Sequence, residues 1–213
     1  HGGGMSGSCW DKTPDGRPGW LQMLVAQGYE VHVVDNVERG RAGFAPGHWQ
    51  GEALLRSMEE AWTLFRIGPR EGFASRRPFA GQQFPVAQFD ILARWFVPRW
   101  LTTSAVQTDA LLAVLDRTGP ATVICHSQGG ETAFDAHRRT PSAFAAIIAL
   151  EPSGYPDDPT ELQGTPTRIL AGDYLDRDPA WITRRAAWHG LATGHSPAFI
   201  EAPGMGNSHM LMC

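Results

Sequence analysis

Cys125-His126-Ser127-Gln128-Gly129-Gly130 follows directly on the apolar run Ala121-Thr122-Val123-Ile124. An apolar run ending in glycines predicts a buried strand that turns sharply into a helix, with Ser127 at the tip. A serine on such an elbow stands exposed at the top of a sheet, ready to act as a nucleophile. The turn is tight and strains the serine backbone, so small residues are needed before and after it. Cys125 and Gly129 occupy those positions, Cys125 where the usual pattern has glycine.

A serine nucleophile needs donors for the negative charge it creates. The chain begins His1-Gly2-Gly3-Gly4-Met5-Ser6-Gly7. A glycine-rich turn lets backbone N–H groups meet a ligand without side-chain obstruction. On its own this is only a glycine turn. With a serine elbow downstream it reads as an oxyanion loop. Gly3, or next Gly4, supplies one N–H, and Gln128, just after the nucleophile, supplies the other. Each donor contributes about 3 kcal/mol in the transition state.

The serine also needs a base. Gly204-Met205-Gly206-Asn207-Ser208-His209-Met210 follows the short apolar run Ala198-Phe199-Ile200, which reads as a last strand. His209 in that loop is placed to take the Ser127 proton and later return it to the leaving group. Of the eight histidines, His126 sits inside the elbow and His32 in a strand pattern. His48, His137, His189 and His195 read as surface residues. The acid is open on chemistry alone. Glu151 ends the run 145–150, and Asp173, with Asp176 shortly after, ends the next run. Both lie at strand ends, where sites form in α/β sheets. A Glu ending so apolar a strand is costly to bury without a partner, and His209 would supply one.

The elements that must position these residues are strand patterns at 29–35, 121–125, 145–151, 167–171 and 198–202. Their continuous apolar character suggests a parallel sheet covered on both faces. Helical patterns fall between them at 19–27, 104–118, 128–139 and 178–191. Gly119-Pro120 is a stop for the second, and Trp181 and Trp188 share a face of the last. Strands alternating with helices predict an α/β fold with a doubly wound, mainly parallel sheet. The stretch 41–101 exceeds one crossover. It carries Trp49, Trp62, Phe65, Phe84, Phe89, Trp95, Phe96 and Trp100. A connection this long is uncommon unless functional. It reads as a cap forming an apolar pocket, or as helices packed at the sheet edge with the aromatics as core.

At 213 residues, 42% hydrophobic and 19% charged, one domain with a full core is expected. A net charge of −4 argues against nucleic acid as a partner. No apolar run is long enough to span a membrane. The three cysteines, Cys9, Cys125 and Cys213, form no disulfide framework and have no metal spacing. Neither metal nor cofactor is called for. Oligomeric state and compartment leave no trace in the sequence, and a periplasmic, secreted or cytoplasmic location would each fit.

The order oxyanion loop, serine, acid, histidine is that of α/β-hydrolases. His1-Gly2-Gly3-Gly4, Cys125-His126-Ser127-Gln128-Gly129, Glu151-Pro152 and Gly206-Asn207-Ser208-His209 together resemble that superfamily. More narrowly, the chain resembles a bacterial carboxylesterase branch, the esterase 713-like proteins. Thr13-Pro14-Asp15-Gly16-Arg17 with Gly19-Trp20 carries the narrower likeness. So do Val33-Val34-Asp35 leading to Arg39-Gly40-Arg41, and Phe65-Arg66-Ile67-Gly68-Pro69-Arg70. The resemblance implies a serine esterase with a Ser127–His209–Glu151 triad, acting on a small-molecule ester, and a cap within 41–101. It raises Glu151 above Asp173. Thioesterase, lactonase or amidase chemistry would use the same machinery, and an inactive hydrolase fold used for binding is the rival of another class. No strand pattern precedes His1 and the chain stops soon after His209. It therefore reads as a fragment truncated at both ends, with a sheet edge expected to be poorly covered.

Overall fold

The computed structural model of the chain describes residues 1–43, 47, 49–192, 198–201 and 204–213. They divide into two compact units. Ser104–Pro203 with Gly2 make one; His1, Gly3–Thr103 and Gly204–Cys213 make the other.

The first unit is an α/β layer structure. Strands β1 (Ala121–His126), β2 (Phe144–Leu150), β3 (Thr167–Ala171) and β4 (Ala198–Glu201) form a four-stranded sheet in the order β1-β2-β3-β4. Every pairing is parallel. Helix α5 (Gly129–Arg139) connects β1 to β2 and packs on both, and helix α6 (Pro179–Ala192) packs on β4. Helix α4 (Ser104–Thr118) lies against α5. It ends where expected, at Gly119 with φ 78°, a left-handed conformation that glycine adopts at no steric cost. Asp178 opens α6 by accepting the Ala180 N–H at 2.7 Å, a side-chain cap. Ile147, Ala149, Leu150, Ile169 and Ala171 are buried in the sheet, and Trp188 is buried on α6.

The second unit holds helices α1 (Trp20–Ala26), α2 (Met58–Leu64) and α3 (Phe89–Ala93) with long irregular segments. Ser57 and Glu60 start α2 with a reciprocal capping box: the Glu60 N–H donates to Ser57 Oγ at 3.1 Å and the Ser57 N–H to Glu60 Oε2 at 2.8 Å. That satisfies two donors a helix start leaves over. Trp62 and Phe89 are fully buried with ring centroids 5.3 Å apart. Phe73 and Phe84 meet the same Phe89 ring edge-on, and the Arg76 guanidinium covers Phe73 at 4.5 Å. Trp62, Phe84 and Phe89 in 41–101 are thus the core of this unit.

One strand expected from the sequence does not form. Residues 29–35 carry no ladder, and Tyr29 is 65% exposed. Their apolar character was the whole basis for a strand, but a strand exists only where a neighbour pairs its backbone.

Candidate active site

β1 ends at His126, and the chain turns at Ser127 into α5. Ser127 has φ 52°, the left-handed region that an L-residue occupies at a cost of about 1–2 kcal/mol. The backbone is held there from three sides. The Ser127 N–H donates to the Leu150 carbonyl at 2.9 Å, and the Ser127 carbonyl accepts from Ser153 at 2.9 Å and Gly130 at 3.0 Å. Strain persists only where surroundings over-determine it. The requirement for small residues is steric. Cys125 is buried, and a Cβ on Gly130 would lie 2.5 Å from Pro152 Cβ. The sequence pattern pointed to Gly129; the close approach at Gly130 was not foreseen. Gln128, at the start of α5, is 4% exposed, and its side-chain amide donates to Gln107 Oε1 at 3.2 Å.

Register places the two candidate acids differently relative to Ser127. His126 pairs with Leu150, and Leu150 with Leu170. Ser127 and Glu151 are therefore the next residues at adjacent strand ends, while Asp173 stands beyond the following strand. Glu151 is completely buried and also has positive φ, 44°. Its N–H donates to the Leu170 carbonyl at 2.9 Å, and its Oε1 accepts the Gly172 N–H at 2.8 Å. The backbone donor offsets part of the burial cost of the carboxylate. Asp173 is half-buried, and Asp176 is exposed, 3.5 Å from Arg177.

Gly2 belongs to the same unit as the elbow. A Cβ there would lie 3.1 Å from His126 Nδ1 and 3.4 Å from Ser127 Cβ. The first glycine of the run is therefore packed directly against Ser127.

The remaining candidates belong to the other unit. His1 is buried, and its Nε2 accepts the Asn36 N–H at 3.1 Å. Asp35 accepts the Gly7 N–H, and its Oδ2 accepts both the Arg41 N–H at 2.8 Å and Arg41 Nε–H at 3.0 Å. Burial pushes the Asp35 carboxyl up, but these donors outweigh it and hold the group below the usual aspartate range. Gly3 gives its carbonyl to Arg39 at 3.1 Å, and Gly4 gives its carbonyl to the Val97 N–H at 2.9 Å. A Cβ on Gly3 would lie 3.0 Å from Arg99 Nε. Arg39 and Asp35 anchor the loop from 36 and 28 residues away. Their roles were not read from the sequence, because no local spacing links them to it.

His209 is 2% exposed. Its N–H donates to the Phe65 carbonyl at 2.9 Å, and its ring lies 5.7 Å from the Phe65 ring. The loop before it is pinned at Gly206, φ 76°, where a Cβ would sit 1.9 Å from the Gly81 carbonyl oxygen. Only glycine fits there. A cavity of about 600 Å³ opens in this unit, walled by Trp20, Phe84, Ser208, Met210 and Met212 but not by His209.

His137 corrects an expectation. It is buried, not at the surface. Helical phase puts it on the inner face of α5 with Ala133, Phe134 and Ala136. Thr165 Oγ1, 2.9 Å from Nε2, supplies the polar partner that makes burial tolerable. His189 is exposed, as expected, and His48 and His195 lie outside the described residues. All three cysteines are free, and burial pushes the Cys125 and Cys9 thiols up to about 12. Neither is a thiolate near neutral pH, so Cys125 is no rival nucleophile to Ser127. Among the described residues, no group of three or more His, Cys, Asp or Glu could hold a metal. No helix among them is long and apolar enough to cross a membrane.

The chain is similar in structure to a protein described as a novel bacterial esterase. The TM-score is 0.88 and the identity 29%, over 100% of this chain and 73% of that one. It is also similar to a probable secreted lipase, phiG, of Fungal sp. (strain ATCC 74256), at 32% identity over 169 residues, 74% of this chain. It spans 44% of that protein's length. No protein-family model matches the chain.

Proposed function

We propose, from the likeness of this chain to a bacterial esterase and a secreted lipase, that it is an α/β-hydrolase that hydrolyses carboxylic esters through an acyl-enzyme intermediate on Ser127. The observation that carries the reading is the Ser127 backbone. A non-glycine residue at φ 52°, at the end of β1 and the start of α5, is an outlier that hydrogen bonds on both sides maintain. A strained serine of that kind, with Gly2 packed beside it, is what acyl transfer uses. The esterase and lipase likenesses point to the same chemistry.

In this mechanism Ser127 Oγ attacks the ester carbonyl carbon while His209 takes its proton. The carbonyl oxygen becomes an oxyanion and is met by the backbone N–H groups of Gly3, or Gly4, and of Gln128. Collapse of the tetrahedral intermediate expels the alcohol, which leaves with the proton from His209. Water then repeats the sequence on the acyl-enzyme, and the carboxylic acid departs. Glu151 orients His209 and stabilises its imidazolium without itself taking the proton. No step calls on a metal or a cofactor. The segment 41–101 is assigned to a cap that shapes the acyl site, with its buried aromatics serving as the cap's own core.

The test is reaction with a fluorescent fluorophosphonate, beside turnover of p-nitrophenyl esters. The parent should label, and Ser127→Ala and His209→Ala should not. Ester turnover should fall by about 10⁴-fold or more in Ser127→Ala. Turnover that survives that substitution would end the proposal. A panel of ester, thioester, lactone and amide substrates then identifies the acyl class.

A further inference from the structure

Arg39 does something a surface arginine does not. It is 2% exposed, and its side chain is fully buried beside that of Glu38, with Nε 3.8 Å from Glu38 Oε1. Thr103 Oγ1 donates to the same Glu38 oxygen at 3.2 Å. From this buried position the guanidinium donates to the Gly3 carbonyl at 3.1 Å. Charged residues are almost never fully buried unless paired, and their desolvation is expensive even then. The hydrogen bond to the Gly3 carbonyl is one return for that cost.

The geometry gives a larger return. In a planar trans peptide the carbonyl and the following N–H point in opposite directions. Holding the Gly3 carbonyl therefore fixes the direction of the Gly4 N–H. The Val97 N–H fixes the next peptide by the same logic, through the Gly4 carbonyl at 2.9 Å. Glycines have the freest backbones in any chain, so a donor built on them must be held from outside. A hydrogen bond from a cation is stronger than one from a neutral donor, and it polarises the peptide that accepts it. The N–H on the far side of that peptide becomes a better donor to an anion.

We propose that Arg39 is a positioning residue of the oxyanion loop, which aims and polarises the Gly3–Gly4 peptide. This rests on the proposed ester hydrolysis, with the Gly4 N–H as the loop's oxyanion donor. Glu38 and Thr103 act one step further out, by holding the guanidinium.

The experiment compares Arg39→Met and Arg39→Lys in the otherwise unaltered protein. It reads kcat and KM for p-nitrophenyl butyrate, and Ki for an alkyl trifluoromethyl ketone, which adds to serine Oγ and places an oxyanion in the hole. Arg39→Met should lower kcat about 10- to 100-fold, less than loss of a whole donor. KM should stay within about threefold, and Ki should rise in proportion to the fall in kcat/KM. Arg39→Lys, whose ammonium can still reach the carbonyl, should recover part of both losses. If Arg39→Met strands Glu38 and fails to fold, the double variant E38Q/R39M removes both charges and should show the same paired losses. A folded variant with parental kcat, or with a lowered kcat and an unchanged Ki, overturns the proposal while the Ser127 dependence of the parent stands. A parent whose turnover survives Ser127→Ala overturns the hydrolase reading, and this proposal with it.

Discussion

Replacing Ser127, the proposed nucleophile, should separate its chemistry from its strain. Ser127→Ala removes the hydroxyl but keeps Cβ, so the variant remains strained at φ 52°. Ser127→Gly removes both. The left-handed conformation costs an L-residue about 1–2 kcal/mol. Glycine avoids that cost but loses about 0.5–1 kcal/mol more in backbone entropy on folding. The backbone cannot relax in either variant, because the contacts to Leu150, Ser153 and Gly130 involve main-chain atoms alone. Ser127→Gly should therefore be more stable than Ser127→Ala by about 1 kcal/mol, which in a chain of 213 residues raises Tm by about 2–4 °C. Thermal melts followed by circular dichroism measure the difference, and fluorophosphonate labelling should be lost in both. A glycine variant that melts no higher than the alanine variant would show that the elbow stores no strain. The structural argument for Ser127 as nucleophile would then lose its basis.

Other substitutions test other links. Glu151→Gln keeps an acceptor for the Gly172 N–H and should fold, yet lower kcat by about 10²- to 10⁴-fold. Asp173→Asn should leave kcat within about threefold, and the reverse order of effects would move the acid to Asp173. Trp62→Ala opens a cavity in the aromatic cluster and strands the Pro69 carbonyl that accepts Trp62 Nε1–H at 3.0 Å. Urea melts should show a loss of about 3–5 kcal/mol, and a loss below 1 kcal/mol would mean the cluster is not this unit's core. Burial holds the His137 imidazole below its ordinary pKa against the opposing charge of Glu161. The folded state then resists protonation while the unfolded chain takes a proton below about pH 6.5. The stability contribution is full above that pH and is lost as pH falls through it. His137→Gln should flatten the decline in stability between about pH 6.5 and 5, and an unchanged slope refutes the assignment.

What adjacent residues encode was legible before the fold. The α4 and β3 bounds, 104–118 and 167–171, coincide with those read from apolar runs, the Gly119 stop and helical phase. The Ser127 elbow was legible for the same reason: a buried run, small residues and a turn are all local, and they constrain one stretch of backbone at a time. The likeness of the glycine run and the Asn207-Ser208-His209 loop to α/β-hydrolases extended that reading to distant segments without giving any geometry.

Three matters needed tertiary structure, each because its cause lies far away in sequence. Residues 29–35 have strand composition but no ladder, since pairing depends on a neighbour that composition does not supply. Glu151 and Asp173 end similar apolar runs, and only the register of β1, β2 and β3 puts Glu151 at the strand end adjacent to Ser127. Arg39 and His137 look like surface residues by type. Their burial is set by partners 36 and 28 residues distant, the Gly3 carbonyl and the Thr165 hydroxyl. Sequence by itself determined where the chain turns at Ser127, where α4 stops and where β3 runs, because those preferences belong to neighbouring residues. The fold decided which polar groups are buried, and against what, because the free energy of burying a charge or a hydrogen-bonding group depends on partners that only chain folding brings within reach.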